Sequence, residues 1–343
     1  MAKFTLQVIA KGFFAYAMVP NSWKKRRLMR LVAIVCFAVV LGSIFIAQST
    51  LQSSAQSASN LNLQFPPELS VGRLILLKPD WKGDAQSATG TPLAAARGSV
   101  KTLAGQSIML LSNDCISERM NLLRSFPANA LACLALNSTS ITDKDLAFVN
   151  HLSGLRRLEL EDTDITDAGL EQLSKLSSLE YLRLSNTLVR GNTFGYLAAT
   201  NLKNLHLDNL ALGARAFREV SKFKELRWLN LSRVHLTDSA LAELAQLPKL
   251  YGLIIPNNHT LTDIGLRKLV GMKQLRRLDL SSTGVTLGGV LALKGIPLKW
   301  LKLSSSFKSE QGSALLHRAF PRAEIEFDKD RQRIPSEMFA PLH

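Results

Sequence analysis

A chain of 343 residues with 46% hydrophobic content is long enough to bury a sizeable core, and its mean hydropathy of +0.08 says that part of the apolar material is not globular. The formal charge of +15 resembles that of a nucleic-acid binder, yet residues 1–30 hold seven Lys or Arg and no acid, leaving 35 basic against 27 acidic side chains in the remainder. A charge gathered so locally argues against nucleic acid as the partner.

Within residues 1–27, Lys3, Gln7 and Lys11 recur at four-residue spacing, with Phe4, Val8, Ile9, Phe13, Phe14 and Tyr16 around the other sides. In a helix this is a polar stripe beside an apolar face, which suits a segment lying in the cytoplasmic headgroup layer. A second spanning helix over residues 4–20 is the rival, opposed by the charge of Lys11 near its middle. Lys24, Lys25, Arg26, Arg27 and Arg30 follow, and residues 31–47 then run without a charge. With Leu28 and Met29 the stretch approaches the roughly 20 residues that cross about 30 Å of hydrocarbon, so residues 28–48 read as a transmembrane signal-anchor helix. No charge occurs again until Glu68. The positive-inside bias therefore predicts a single-pass protein of the cytoplasmic (inner) membrane, N-terminus inside, with everything after Gln48 periplasmic or extracellular. A cleaved signal peptide is the alternative, but small-x-small cleavage sites are poor here.

Residues 49–64 turn to Ser, Gln, Ala and Asn, as expected of a flexible tether. Residues 65–130 read as a small β-containing cap. Inside it residues 71–78 and 98–112 are β-rich, the second broken by Ala104-Gly105-Gln106 into an expected hairpin; residues 81–97 read as a loop and 116–126 as a helix. Cys115 and Cys133 face a compartment where a disulfide persists, their spacing fits no metal motif, and the sequence leaves their pairing open.

From residue 131 the sequence repeats itself. Aligned on L-x-x-L-x-L, units begin at Leu131, Leu155, Leu179, Leu202, Leu226, Leu250, Leu275 and Leu298, spaced by 23 to 25 residues. A period of this length with this pattern is that of a leucine-rich repeat. In the unit from Leu155, alternation sends Leu158 and Leu160 inward from a short strand while Arg157, Glu159 and Glu161 face outward. Thr166 and Asp167 then offer an N-cap before Leu170, Leu173 and Leu176, an apolar helical stripe, and Asp143, Asp238 and Asp263 recur in the same place. Neither element buries its face alone, so each unit needs its neighbours. Strands stack at about 4.8 Å and helices at about 10 Å, so the predicted fold is an α/β leucine-rich repeat solenoid, a horseshoe with a concave parallel β-sheet. It covers residues 131–327, closed by residues 315–320 and a strand over 323–327, before a tail at 328–343.

The turns reading ITDKDL (141–146), ITDAGL (165–170), LTDSAL (236–241) and LTDIGL (261–266) resemble those of bacterial membrane-anchored leucine-rich repeat proteins with ITDAGL-type repeats. The resemblance covers roughly residues 131–327 and implies a recognition or scaffolding module without naming a ligand. Units three, four and seven depart from it, with Val189-Arg190-Gly191, Leu212-Gly213-Ala214 and Thr286-Leu287-Gly288 at the turn.

No phosphate-binding loop, serine-hydrolase elbow, zinc-protease motif or Cys/His cluster with metal spacing occurs, so no cofactor, metal or catalytic residue is expected. What remains is the concave face, read at the third, fifth and seventh positions of each unit. The third-position column is Cys133, Arg157, Tyr181, Asn204, Trp228, Gly252, Arg277 and Trp300; the fifth holds Glu159, Arg183, His206, Asn230, Asp279 and Lys302 among others. Trp, Tyr and Arg dominate binding hot spots. The candidate binding residues are therefore Arg157, Tyr181, Arg183, His206, Trp228, Asn230, Arg277, Asp279, Trp300 and Lys302. The bland reading of Trp228 is that it lies across Gly252, and of Trp300 that it covers the end of the core. The expected function is protein binding or scaffolding in the cell envelope, with an anionic envelope polymer as a further partner and the membrane held through residues 1–48. The alternative is a structural subunit of a larger membrane complex, held through its N-terminal helix.

Overall fold

The computed structural model describes residues 60–78, 81, 90–103 and 105–328. The expected cytoplasmic segment and spanning helix, residues 49–59 of the tether and residues 329–343 of the tail lie outside the described residues. Among the described residues, no helix is long and apolar enough to cross a membrane.

The N-terminal cap contributes β1 (Leu61–Gln64), β2 (Gly72–Leu77), β3 (Gly90–Ala95), β4 (Ser99–Thr102) and β5 (Ile108–Ser112). One strand per repeat follows: β6 (Cys133–Ala135), β7 (Arg157–Glu159), β8 (Tyr181–Arg183), β9 (Asn204–His206), β10 (Trp228–Asn230), β11 (Gly252–Ile254), β12 (Arg277–Asp279) and β13 (Trp300–Leu303). A last strand, β14 (Glu324–Phe327), closes a 12-stranded sheet ordered β14 to β5 without a crossover and then β2 and β3. The repeat strands are parallel and in register, so Leu134, Leu158, Leu182, Leu205, Leu229, Leu253, Leu278 and Leu301 stack as one fully buried column.

The cap departs from its expected layout. β4 and β5 do not form a hairpin: β4 pairs antiparallel with β1, while β5 lies between β2 and β6. The reason is that β5 imitates a repeat strand. Its Leu110 sits opposite Leu134 and extends the leucine column, which a local hairpin would forfeit. Residues 90–95, expected in a loop, form β3 on the sheet edge, where Pro92 is tolerated because an edge strand can dispense with one ladder donor. β1 lies within the stretch assigned to the tether, and its Leu63 is buried in the core. The expected helix over 116–126 is 3-10 in character over Asp114–Ser125, with a non-helical Arg119 inside it.

The first seven units leave the sheet by the same backbone event, and the last, at Ser305, enters a 3-10 turn instead. The eighth residues, Ser138, Asp162, Asn186, Asn209, Arg233, Asn257 and Ser282, all have φ between 53° and 60°. At the ninth position the hydroxyls of Thr139, Thr163, Thr187 and Thr283 donate to the carbonyls of Leu136, Leu160, Leu184 and Leu280 at 2.6–2.7 Å. Asn258 occupies that position in the sixth unit, fully buried, and serves two repeats: its amide donates to Leu231 O and Ile255 O, and its oxygen accepts from Val234 N and Leu236 N.

The side opposite the sheet is 3-10 in the first three units (Asp145–Phe148, Gly169–Lys175, Phe194–Ala199) and α-helical in the next four (Ala214–Val220, Asp238–Leu244, Asp263–Leu266, Leu287–Leu291). Both kinds bury the same stripe of every third residue, as in Leu170, Leu173 and Leu176 or Leu241, Leu244 and Leu247, so the spacing does not decide between them.

The recurring aspartates are not the N-caps expected of them. Thr237, Thr262 and Thr286 cap their own helices, accepting from Ala240 N, Ile264 N and Gly289 N. Each aspartate reaches forward to the next repeat. Asp143 accepts from Thr166 N and Oγ1, Asp238 from Thr262 N and Oγ1, and Asp263 from Thr286 N and Oγ1, all at 2.6–2.9 Å. Asp167 binds Gly191 N at 2.8 Å and Asn192 Nδ2 at 3.0 Å. The glycine of the motif makes room: a Cβ on Gly169, Gly265 or Gly289 would collide with the carboxylate of Asp143, Asp238 or Asp263. The motif is thus a staple between repeats. It includes unit seven, whose sequence departs from the pattern, and among the described residues no such carboxylate joins unit three to four or four to five.

Cys115 and Cys133 are both free. Cys133 is buried on the open side of the sheet, whereas Cys115 packs against the leucine core on the other side, so the sheet itself separates them.

Asp263→Ala deletes an acceptor of two charge-assisted bonds and should cost about 1.5–3 kcal/mol. Gly289→Ala should destabilise the wild type and do so less by about 1 kcal/mol or more when Asp263 is already Ala, as contacting pairs do. Urea unfolding of the four proteins checks this. Strict additivity would mean that the glycine serves its helix and not the carboxylate.

Candidate interaction face

The open face of the sheet, opposite the helices, is built from the alternate residues of β2 and β5 to β13. Because neighbouring strands lie about 4.8 Å apart, the side chains of one column touch laterally, and the face divides into three zones by what those contacts satisfy.

The first zone is closed. Ile75 and Leu77 of β2, Met109 and Leu111 of β5, and Cys133 and Ala135 of β6 form an apolar cluster covered by Trp81. Burial pushes the Cys133 thiol pKa far up, so it stays protonated and unreactive. Arg156 stacks over the Trp81 ring at 5.2 Å. The sequence places Trp81 at the start of a loop, and a lone Trp in a Gly/Ala/Ser-rich stretch is its one signal of a covering role.

The second zone is a polar network whose carboxylates are paired internally. Arg157 Nε donates to Glu159 Oε1 at 2.6 Å, its guanidinium lies 3.8 Å from the Tyr181 ring centroid, and Tyr181 in turn lies 5.1 Å from the His206 ring. Asn137 Nδ2 donates to Glu159 Oε2 at 2.7 Å, and Arg183 pairs with Glu161 at 2.8 Å. The consequence is burial: Arg157 is 6% exposed, Tyr181 1% and His206 8%. These three expected contact residues therefore stand beneath the surface, as does Asp279. Burial raises the pKa of Tyr181, Glu161 and Asp279. It pushes His206 down to about 3, with Arg183 and Arg157 adding to the effect, and neither ring nitrogen has a hydrogen-bond partner.

The third zone spans β10 to β13 and stays open. Trp228 lies across Gly252, where a Cβ would collide with the indole, so the bland reading of Trp228 holds for its inner face. Arg277 stands between two indoles, 5.8 Å from the Trp228 ring centroid and 4.9 Å from that of Trp300. Trp300 Nε1 donates to Glu326 Oε1 at 2.6 Å, which ties the indole to β14. Asn230 donates to Asp208 Oδ1 at 3.0 Å, and Lys302 remains half-buried beside Asp279. At the N-terminal margin of these strands a depression of about 710 Å³ is lined by Asn204, Arg227, Trp228, Pro248, Lys249, Tyr251 and Gln274. Tyr251, 41% exposed, and Arg227 belong to the second position of their units, a column the sequence reading passed over. A smaller depression of about 440 Å³ on the opposite margin is lined by Asn209, Arg233, His235, Asn257 and His259. Among the described residues no group of three or more His, Cys, Asp or Glu is placed to hold a metal ion.

No protein-family model and no curated protein matches the chain. Among solved structures, the chain is similar to internalin C2 of Listeria monocytogenes, at 21% identity over 57% of this chain and 80% of that one, with a TM-score of 0.44. It is also similar to internalin F of the same organism, at 20% identity over 62% and 63% of the two chains with a TM-score of 0.43. A leucine-rich repeat protein of Leptospira interrogans matches at 19% identity over 61% and 62%, with a TM-score of 0.41.

His206 gives the second zone a pH signature. Its folded pKa lies below its unfolded one, so its contribution is complete above about pH 6.5 and is lost as pH falls toward 3. The raised carboxyls of Glu161 and Asp279 act with the opposite sign, losing stability as pH rises through the carboxylate range. The wild type is therefore compared with His206→Gln. Their difference in unfolding free energy should be flat above pH 7.5 and fall by up to about 1.4 kcal/mol per pH unit below pH 6. A difference independent of pH would mean that the ring is solvated or partnered.

Proposed function

We propose that this chain is a non-enzymatic interaction module that takes a protein partner on the open sheet face between β10 and β13. The observation that carries the reading is the contrast along that face. Its first zone is apolar and covered by Trp81, and its second pairs its carboxylates internally through Arg157, Arg183 and Asn137, whereas the third presents Trp228, Trp300 and Tyr251 with Arg277 and Arg227 beside an open depression. Aromatic rings and arginines grouped in this way are the usual anchors of a protein contact. A role in catalysis finds no support there, since His206, the group on the face best suited to act as a base, is buried and held neutral.

The module is proposed to sit outside the cytoplasm, tethered to the membrane through residues 1–48, on the strength of the cluster Lys24, Lys25, Arg26, Arg27 and Arg30 before an uncharged run. Protease added to intact spheroplasts should then remove the repeats; their protection would overturn this topology.

Partner capture tests the face itself. Trp228→Ala should weaken retention of bound proteins by at least about 2 kcal/mol, with the circular dichroism of the fold unchanged, and Lys175→Ala on the helical side should have almost no effect. If a chain lacking residues 1–48 retains no partner while the full chain does, the structural-subunit alternative takes precedence.

A further inference from the structure

We infer that Arg277 is a receptor for a carboxylate, so that the segment bound across β10 to β13 is an acidic peptide. This rests on the interaction reading above and deepens it.

The inference comes from comparing the chain with itself. Arginine occupies the third position of a repeat twice, at Arg157 and Arg277, and each has an acid two residues later, Glu159 and Asp279. The first pair closes internally: Glu159 accepts from Arg157 Nε at 2.6 Å while the guanidinium lies over Tyr181. The second does not close. Asp279 is one methylene shorter and is turned away, accepting from Ser281 N at 2.9 Å and from Ser281 Oγ. Arg277 Nε is left buried with no hydrogen-bond partner, and among the described residues Arg277 enters no ion pair. Unit two therefore carries its own carboxylate where unit seven lacks one.

The guanidinium is also held ready. Trp228 and Trp300 flank it on both sides, and with Nε buried the two terminal nitrogens are left as the donors to a planar, bidentate acceptor. Around it the cations Arg227, Arg277, Lys299 and Lys302 outnumber the acids Asp279, Glu324 and Glu326, so the balance of charge stays positive. Arg227, Lys299 and Lys302 likewise enter no ion pair, whereas Arg156 and Lys203 further along the sheet are engaged by Glu180. The carboxylate is preferred over sulfate or phosphate because Glu159 shows, at the same two positions, what an arginine held over an aromatic ring accepts in this fold. The exposed ring of Tyr251 and the half-buried ones of Trp228 and Trp300 add apolar surface for the side chains that flank an acid in a peptide.

The test is selection of a displayed random peptide library on the full chain in detergent, followed by binding of the selected peptides to variants, read by tryptophan fluorescence. Heparin serves as the sulfated-polymer probe. Selected peptides should be enriched in Asp or Glu next to an apolar residue and lose at least tenfold in affinity for Arg277→Gln. Arg277→Lys should not restore it, because an ammonium cannot offer the two parallel donors. Asp279→Glu should also weaken binding in a chain that still folds, by giving Arg277 an internal acid of the length of Glu159. Absence of acidic enrichment, or equal affinity for wild type and Arg277→Gln, overturns the inference, as does tighter binding of heparin with the same dependence on Arg277. If non-acidic peptides are selected and Trp228→Ala abolishes their binding, the interaction face stands without the carboxylate; if neither substitution matters, both readings fall.

Discussion

Every repeat must turn out of the sheet and into its helical segment within a few residues, and the rest of the molecule depends on that turn being identical each time. The left-handed eighth residue sets the direction, at a cost of about 1–2 kcal/mol for a residue other than glycine. Asn and Asp bear this conformation best because their short polar side chains bond locally, and four of the seven eighth-position residues are Asn or Asp. The ninth residue then covers the carbonyl that ends the strand's buried column. Where that residue is Val234 and no hydroxyl is present, Asn258 of the next repeat supplies the missing donor to Leu231 O. The same unit bears left-handed backbone at both Arg233 and His235. Its turn is the most strained of the series and is held by its neighbour.

With the turns in register, each position of a repeat faces the same position of the next, and the chemistry of the protein becomes lateral. Leucine meets leucine in the core, aspartate meets threonine and glycine along the helical margin, and arginine meets an aromatic ring on the open face. This is why the open face is not uniformly available. Where a column happens to contain its own complement, as at Arg157, Glu159 and Tyr181, it closes into a buried network; where glycine and tryptophans interrupt it, as from Trp228 to Trp300, it stays open. Polarity on a sheet face is thus a poor guide to contact unless the neighbouring repeat is considered as well.

The same lateral logic separates what was legible in the sequence from what was not. The repeat boundaries, the strand at each unit start and the leucine column follow from alternation within one unit, and each of these is found where the alternation puts it. The role of Asp167 was misread because capping was sought inside its own helix, when its partners Gly191 and Asn192 lie a full repeat away. β4 and β5 were joined because they adjoin in the chain, although Leu110 has a better partner in Leu134 than any hairpin offers. Trp81 covers Cys133 from a stretch with no periodicity at all. At the candidate site, Trp228, Arg277 and Trp300 were visible as a column, but the burial of Arg157, Tyr181 and His206 depended on ring stacking across strands. Tyr251 and Arg227 stand at the second position of their units, outside the alternation that marks the open face.

The interrupted aspartate ladder has a consequence for how the solenoid comes apart. In a linear array, stability is a sum of intrinsic and nearest-neighbour terms, and a weak coupling divides the array into blocks that open separately. Units one to three and five to seven are each stapled along the helical margin, whereas unit four, with Leu212-Gly213-Ala214 at its turn, is joined to its neighbours on the open face, where Asp208 accepts from Ser185 and Asn230, and is the seam of the helical margin alone. The seam falls between the closed part of the sheet face and the open part. A partner held between β10 and β13 would add its linkage energy first to the C-terminal units, and amide exchange would register it there more strongly than in the N-terminal ones.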